Sequence, residues 1–266
     1  MPHTHRLTPG KKIRIAKLPT RADRFHDDRD KAEKEFKGLR KELAELQYRF
    51  YSEAKRKLLV VLQAMDAGGK DGTIRRVTEG INPQGVRVTS FKAPSKRELA
   101  RDYLWRIHRE VPGKGMIRIF NRSHYEDVLV VRVDNLAPKS VWGERYDQIN
   151  QFEKLLADTG TTIVKIYLHI SKEEQRERFQ ERIDDPTKNW KFSHEDLEKR
   201  KQWDDYMQAY EDVLNRCTTP WAPWHAVPAD QKWYRNLAIA RILHATLTEL
   251  DPHYPEHEDL SGIVVD

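Results

Sequence analysis

Leu58-Leu-Val-Val-Leu62-Gln-Ala-Met-Asp66-Ala67-Gly68-Gly69-Lys70-Asp71-Gly72-Thr73 is the stretch whose reading decides the fold. An apolar run of strand length enters a glycine-rich turn, a lysine closes the turn, and a helix-compatible segment follows. That is the order of a phosphate-binding loop. Its glycines let backbone N–H groups approach a phosphate, and the helix N-terminus adds positive dipole. The backbone from Ala67 through Gly68, Gly69, Asp71, Gly72 and Thr73 would form the cradle, with Arg75 just inside the helix and Lys70 supplying formal charge. Against the pattern G-x-x-x-x-G-K-[ST], Ala64 stands at the first glycine and Asp71 at the hydroxyl that ordinarily holds the metal. Mg²⁺ must then be held another way. Asp66, a hard oxygen donor inside the loop, is the obvious substitute. The plain alternative is a strand–turn–helix connection without a ligand; strand, Gly-Gly-Lys and helix in one register favour phosphate.

Working outward, 266 residues suffice for one large α/β domain or two small ones. A hydrophobic fraction of 38% and a charged fraction of 34% imply one core under a densely charged surface. Lys and Arg total 48 against 42 Asp and Glu, a net +6, which suits a polyanionic partner: nucleic acid, polyphosphate or nucleotide. Cys217 is the only cysteine, so no intrachain disulfide can form, as fits a reducing compartment. No apolar run spans a bilayer and the N-terminus has no signal-peptide core, so a cytoplasmic protein with no membrane partner is expected.

Residues 1–29 are polar and broken by Pro2, Pro9 and Pro19, an arm expected to drape over the surface or stay mobile. From 30 to about 55 the period is helical, with Phe36, Leu39, Leu43, Leu46 and Phe50 spaced by threes and fours. That helix is expected on its own domain, with a helix pair between copies the sharper alternative, and a homo-oligomer is expected. Val86–Phe91, Met116–Phe120, Thr161–Ile170 and Trp224–Pro228 read as further strands. Ser95 with Glu98 predicts a helix through about Arg109, and Ser123 with Glu126 another capping box. The valine-rich run 128–133 reads as helix or strand. Ser171 with Glu174 caps a helix that Asp185-Pro186 ends, and Ser193 with Asp196 opens one through about Leu214. Asp230 is expected to cap a last helix to about Leu250, with 251–266 an acidic, disordered tail. Strands alternating with helices predict a three-layer α/β domain over 30–250, a parallel sheet covered on both faces. Ligands of such sheets sit at the carboxyl ends of the strands.

A second carboxylate after another core strand is needed to organise the metal. Phe120-Asn121-Arg122-Ser123-His124-Tyr125-Glu126-Asp127 offers Arg122 for phosphate oxygens, with Glu126 and Asp127 for metal. Arg178 and Arg182, four apart on one face, repel mildly unless an anion lies between them. The segment 171–195 has the position of a mobile, arginine-rich lid.

Taken together, these motifs resemble the polyphosphate kinase 2 family. The resemblance rests on Leu62–Thr73, Phe120–Asp127, Asp185-Pro186 with Trp190-Lys191-Phe192-Ser193, and Trp224-His225 with Pro228-Ala-Asp230 and Lys232-Trp-Tyr234. It spans roughly residues 35–250. It implies a fold akin to P-loop nucleoside monophosphate kinases, and reversible transfer of a terminal phosphoryl group from inorganic polyphosphate to AMP or ADP, giving ADP and ATP. The implied cofactor is Mg²⁺, with Mn²⁺ able to stand in. By position it implies Asp66 and Asp127 as metal carboxylates, Lys70 and Arg122 on the transferred phosphate, and Arg178 and Arg182 in the lid. Glu126 resembles members that accept AMP as well as ADP. Two other readings compete: an ATP-dependent nucleoside monophosphate kinase, and a basic nucleic-acid-binding protein. The second is disfavoured because the aromatics are scattered and no stacking motif appears, so no nucleic-acid partner is expected.

Overall fold

The apolar run becomes strand β1, Lys57–Ala64, and takes the centre of a five-stranded parallel sheet in the computed structural model. The structure describes residues 4–256 together with 259, 261, 263 and 265. Every residue of β1 after Lys57 is buried, as expected of a strand covered on both faces. The other strands are β2 Val86–Ser90, β3 Ile117–Asn121, β4 Thr161–His169 and β5 Trp224–Pro228, in the spatial order β2-β3-β1-β4-β5. Val60 stands opposite Ile119 on one side and Val164 on the other. The chain goes from β1 to the β2 edge, returns to β3 beside β1, then crosses to β4 and β5 on the other side, and the carboxyl end of β1 opens where the order switches sides.

Helices among the described residues run α1 Arg29–Glu53, α2 Lys70–Val77, α3 Lys96–Leu99, α4 Trp105–His108, α5 Val130–Val133, α6 Lys139–Asp158, α7 Lys172–Asp184, α8 His194–Lys201, α9 Trp203–Arg216 and α10 Lys232–Leu250. One layer groups α1, α2 and α10; the other groups α5, α6 and α9. This is the expected three-layer α/β architecture. Asp28 caps α1 by accepting from the N–H of Lys31. Phe36, Leu43 and Phe50 are buried, and α1 packs along α10. The stripe that suggested a helix pair between copies is thus covered within this chain.

The N-terminal arm closes the β5 edge. Arg6 bridges antiparallel to His225, Leu7 N–H donates to Trp224, and Ala226 N–H donates to His5. Ile13 and Ile15 are buried beyond it. Covering an edge strand in this way removes a template for pairing with another chain. Of the tail 251–266, for which disorder is expected, residues 257, 258, 260, 262, 264 and 266 lie outside the described residues, as do Met1–His3.

Several expected helices differ. The Ser95–Glu98 box forms, but α3 stops at Leu99 and the chain turns before α4. The Ser193–Asp196 box forms, and the helix breaks at Gln202 into α8 and α9. The Ser123–Glu126 box does not form: Ser123 Oγ accepts from Tyr125 N–H, and Glu126 turns to Arg122. Asp230 does not cap α10; its carboxylate accepts from Ser171 N–H at 2.8 Å and ties the β5–α10 turn to the start of α7. Of the misses, only Asp230 is a side chain taken by a partner distant in sequence. No helix among the described residues is long and apolar enough to cross a membrane.

Candidate active site

The loop between β1 and α2 is shaped by three residues. Ala67 and Gly69 have φ of 58° and 98°. At Gly68 a Cβ would stand 2.5 Å from Ala64 Cβ and 2.8 Å from the Met65 carbonyl oxygen, so only glycine fits. A Cβ on Gly69 would collide with the guanidinium of Arg235. Thr73 N–H donates to Gly69 at 2.9 Å and starts α2, whose first N–H groups have no partner within the helix. They open beside the carboxyl end of β1, the natural seat for an anion.

Charge converges on that mouth. Lys70 Nζ donates to the Ala64 carbonyl at 3.0 Å. Burial, with Arg122 adding repulsion, pushes its amine down to about 8 against the pull of Asp66, Glu126 and Asp71. Arg122 Nη2 donates to Asp66 Oδ1 at 2.6 Å and Nη1 to Glu126 Oε2 at 3.4 Å. Glu126, and after the opposing effect of burial Asp66, raise the Arg122 guanidinium further above its ordinary range. Arg122 sits just past β3 at φ 62°, a left-handed conformation that costs a non-glycine residue about 1–3 kcal/mol and clusters at functional sites. Its N–H donates to Leu62 at 3.1 Å, which pins that turn against β1.

Neighbouring polar groups fix the arrangement. Gln63 Nε2 donates to Ser123 Oγ at 3.1 Å, linking β1 to the segment after β3. Asn121 Nδ2 donates to Asp71 Oδ1 at 2.6 Å, so the residue at the usual hydroxyl position braces α2 against β3. Gln175 on α7 donates to the Asp66 carbonyl at 3.0 Å. Beneath lies a wholly buried network. Lys165 Nζ donates to Glu153 Oε2 at 2.5 Å, Tyr125 Oη at 2.7 Å and the Cys217 carbonyl at 2.7 Å. Tyr125 in turn donates to Glu153 Oε1 at 2.8 Å, and His124 Nε2 lies 3.1 Å from the same oxygen. Burial works to raise the Glu153 carboxyl, but Lys165 and His124 outweigh it and hold it below the ordinary range. Residues 124–125 are thus anchored from below, while 122 and 126 face the loop.

Placement of the sequence candidates is uneven. Asp66, Lys70, Arg122 and Glu126 come together at the loop. Asp127 faces Arg145, whose Nη1 donates to both its Oδ1 and its carbonyl at 3.1 Å; burial lifts its carboxyl to about 6. In this structure Asp66 and Glu126 share the Arg122 guanidinium, while Asp127 pairs with Arg145. Arg75 is exposed in the last turn of α2. Arg178 does not present its charge on an open lid face. It is buried, with Nε on Glu174 at 2.7 Å, Nη1 on the Ala67 carbonyl at 2.9 Å, and Nη2 on the carbonyls of Ala229 at 2.5 Å and Asp230 at 3.1 Å. It straps the phosphate loop to the β5–α10 turn. Arg182 lies farther out, donating to the Lys191 carbonyl at 3.0 Å with Asp196 at 3.6 Å. Sequence reasoning missed Gln63, Asn121, Gln175 and Arg235. Arg235 left a signal: a cation just before the apolar run Leu237-Ala238-Ile239-Ala240.

The donor set suits a hard cation. Among the described residues no three His, Cys, Asp or Glu side chains converge. Asp66 and Glu126 are two carboxylates within reach of one group. That matches Mg²⁺, which demands few protein oxygens and keeps waters and substrate phosphates as its other ligands. Softer ions would want thiolate or imidazole.

Comparison with known proteins agrees with this geometry. The model of the family described as Polyphosphate kinase 2 matches residues 26–255. The chain is 52% identical to an AMP/ADP-polyphosphate phosphotransferase of Meiothermus ruber over 98% of each chain. It is 45% identical to an ADP-polyphosphate phosphotransferase of Rhodopseudomonas palustris, over 94% of this chain and 91% of that one. The crystal structure of Polyphosphate Kinase 2 from Arthrobacter aurescens TC1 superposes with a TM-score of 0.92 at 40% identity, covering 97% of this chain and 92% of that one.

Proposed function

This chain belongs to the polyphosphate kinase 2 family, and from that premise we propose a phosphotransferase that moves the terminal phosphoryl group of inorganic polyphosphate to AMP and to ADP, giving ADP and ATP. The observation that carries the site assignment is the Asp66–Arg122–Glu126 chain of ion pairs across the mouth of the loop beside Lys70. In the forward direction an oxygen of the acceptor's terminal phosphate attacks the end phosphorus of polyphosphate. The bridging P–O bond breaks, and its electrons stay on the shortened chain. Such a step needs alignment and charge neutralisation more than covalent help. Lys70 and Arg122 neutralise the equatorial oxygens of the transferred group, and the N–H groups from Ala67 to Thr73 hold the phosphate it leaves. Asp66 would hold Mg²⁺, or Mn²⁺ in its place, with the second carboxylate from the Glu126–Asp127 pair, and the bound ion would supply neutralising positive charge. Residues 171–195, carrying Arg182, act as a lid that keeps water from taking the phosphoryl group. The domain spans 30–250, with 1–29 an arm and 251–266 a tail.

The direct test supplies polyphosphate, Mg²⁺ and AMP and follows ADP and ATP. Products with polyphosphate, and none from AMP with another nucleoside triphosphate in its place, support the reading. Transfer only from ATP supports the monophosphate-kinase alternative.

The kcat/KM profile should be bell-shaped. The free enzyme needs Lys70 charged and Asp127 ionised. Activity should therefore rise as pH passes about 6, set by Asp127, and fall above about 8, set by Lys70. A profile flat from 5 to 9 contradicts it. The Asp127 value is raised above its ordinary one, so its contribution to stability is present at low pH and lost as pH rises through about 6.

Arg178→Met should cut its strap to three carbonyls and leave Glu174 unpaired. Loss of a buried charge's partners costs about 3–5 kcal/mol. The expected result is a lowered melting temperature with polyphosphate and AMP KM values both raised. A variant as stable as the parent would show that the strap does not hold the loop.

A further inference from the structure

Arg235 occupies the first turn of α10 at 4% exposure, and its guanidinium rests over the first turn of α2. A Cβ on Gly69 would stand 3.0 Å from its Cζ, and one on Gly72 3.7 Å from its Nη2. Two glycines therefore leave the space that the guanidinium fills. Its hydrogen bonds go to a neutral amide: Nε and Nη2 donate to Asn236 Oδ1 at 3.2 and 2.9 Å. Nη1 has no acceptor among the described residues, and no carboxylate lies in ion-pair contact with the group. Its neighbour is another cation. Arg178 Nη1 lies 3.4 Å from the same Gly69 position. Arg178 takes Glu174, so two buried guanidinium groups share one carboxylate. A buried charge without a counter-ion is costly, and an anion seated beside it removes that cost. The anion-binding end of an eight-residue helix, α2, is at the same spot.

The side of the loop identifies the anion. Arg235 belongs to the β4–β5 side of β1, with Arg178, Glu174 and Asn236 around it. On the β2–β3 side, Asp127 lies with Arg145 and Arg106, whose guanidinium groups stack on Tyr103 and Phe91 at 4.7 and 5.5 Å. A ligand with a base and sugar fits the aromatic side; a ligand that is phosphate alone fits the side where two buried guanidinium groups meet. In-line transfer places donor and acceptor on opposite sides of the moving group. We infer that Arg235 is a donor-side phosphate-binding residue, holding an oxygen of the polyphosphate unit next to the one transferred. This rests on the phosphotransferase reading and adds to it a residue and a direction for the chain.

The test compares the parent enzyme with R235Q, measuring KM for polyphosphate and for AMP separately, melting temperature, and tripolyphosphate binding across a range of salt. The expected result is a KM for polyphosphate raised at least ~10-fold, a KM for AMP within about twofold, and a salt slope of tripolyphosphate binding smaller by about one unit, as for one lost phosphate contact. If R235Q does not fold, R235K carries the same comparison, since it keeps the charge and loses the fork. An unchanged KM for polyphosphate, or both KM values raised together with a lowered melting temperature, overturns the assignment and leaves Arg235 a packing residue. A parent enzyme that does not use polyphosphate would instead refute the phosphotransferase reading itself.

Discussion

Lys70→Met leaves the fold in place and lowers kcat for transfer from polyphosphate to AMP by at least ~10³-fold. The amine is half-buried at the start of α2, and among the described residues its hydrogen bond is to the Ala64 carbonyl. Removing one preorganised group that meets developing charge typically costs 10²–10³ in kcat, and a full positive charge in a dry site lies at or beyond the upper end. Stability should change little in the same variant. Burial already holds the amine down to about 8, so its charge costs folding free energy rather than adding to it. Methionine keeps the apolar stem packed. A kinetic measurement with a melting curve separates the two effects: turnover within tenfold of the parent would remove Lys70 from the reaction.

Lys165→Met has the opposite character, a large loss of stability centred on a residue that no substrate touches. Its ammonium is fully buried and satisfies Glu153, Tyr125 and the Cys217 carbonyl at once. Deleting one partner of a buried pair strands the other and costs about 3–5 kcal/mol. For a domain of this size that is a fall of about 6–20 °C in melting temperature. The pair is weak evidence for net stability, however, because two charges were desolvated to make it. Glu153→Leu combined with Lys165→Met should therefore recover most of the loss. Additive losses in the double variant would show that the two groups act separately. Tyr125 and His124 hang from this network and lie between Arg122 and Glu126 in sequence, so the recovered double variant should still transfer phosphoryl groups more slowly than the parent.

The parallel α/β fold was legible because its signals are local. β1 is an unbroken apolar run, Gly68 and Gly69 shape a turn that side chains cannot, and α1 carries its stripe at helical spacing. The capping boxes at Ser95 and Ser193 formed for the same reason. Partnerships across the fold were not legible. Glu126 at the third position after Ser123 predicts a cap, yet Arg122 outcompetes the backbone for it because Asp66 fixes that guanidinium from the β1–α2 loop. Arg178 and Arg182 share a spacing and so look alike in sequence. Only the packing of α7 against the loop shows that one is buried on carbonyls while the other lies farther out. Arg235 is read only once Gly69 and Gly72 are seen beneath it.

Anomalous scattering from Mn²⁺ in a crystal grown with polyphosphate and AMP tests the central claim most directly. The account predicts a metal peak at about 2.0–2.2 Å from a carboxylate oxygen of Asp66, with a phosphate of the chain on the amides of residues 67–73 and within reach of Lys70 and Arg122. A metal and a phosphate chain lying elsewhere, with the Asp66–Arg122–Glu126 ion pairs unchanged and the loop empty, would contradict it.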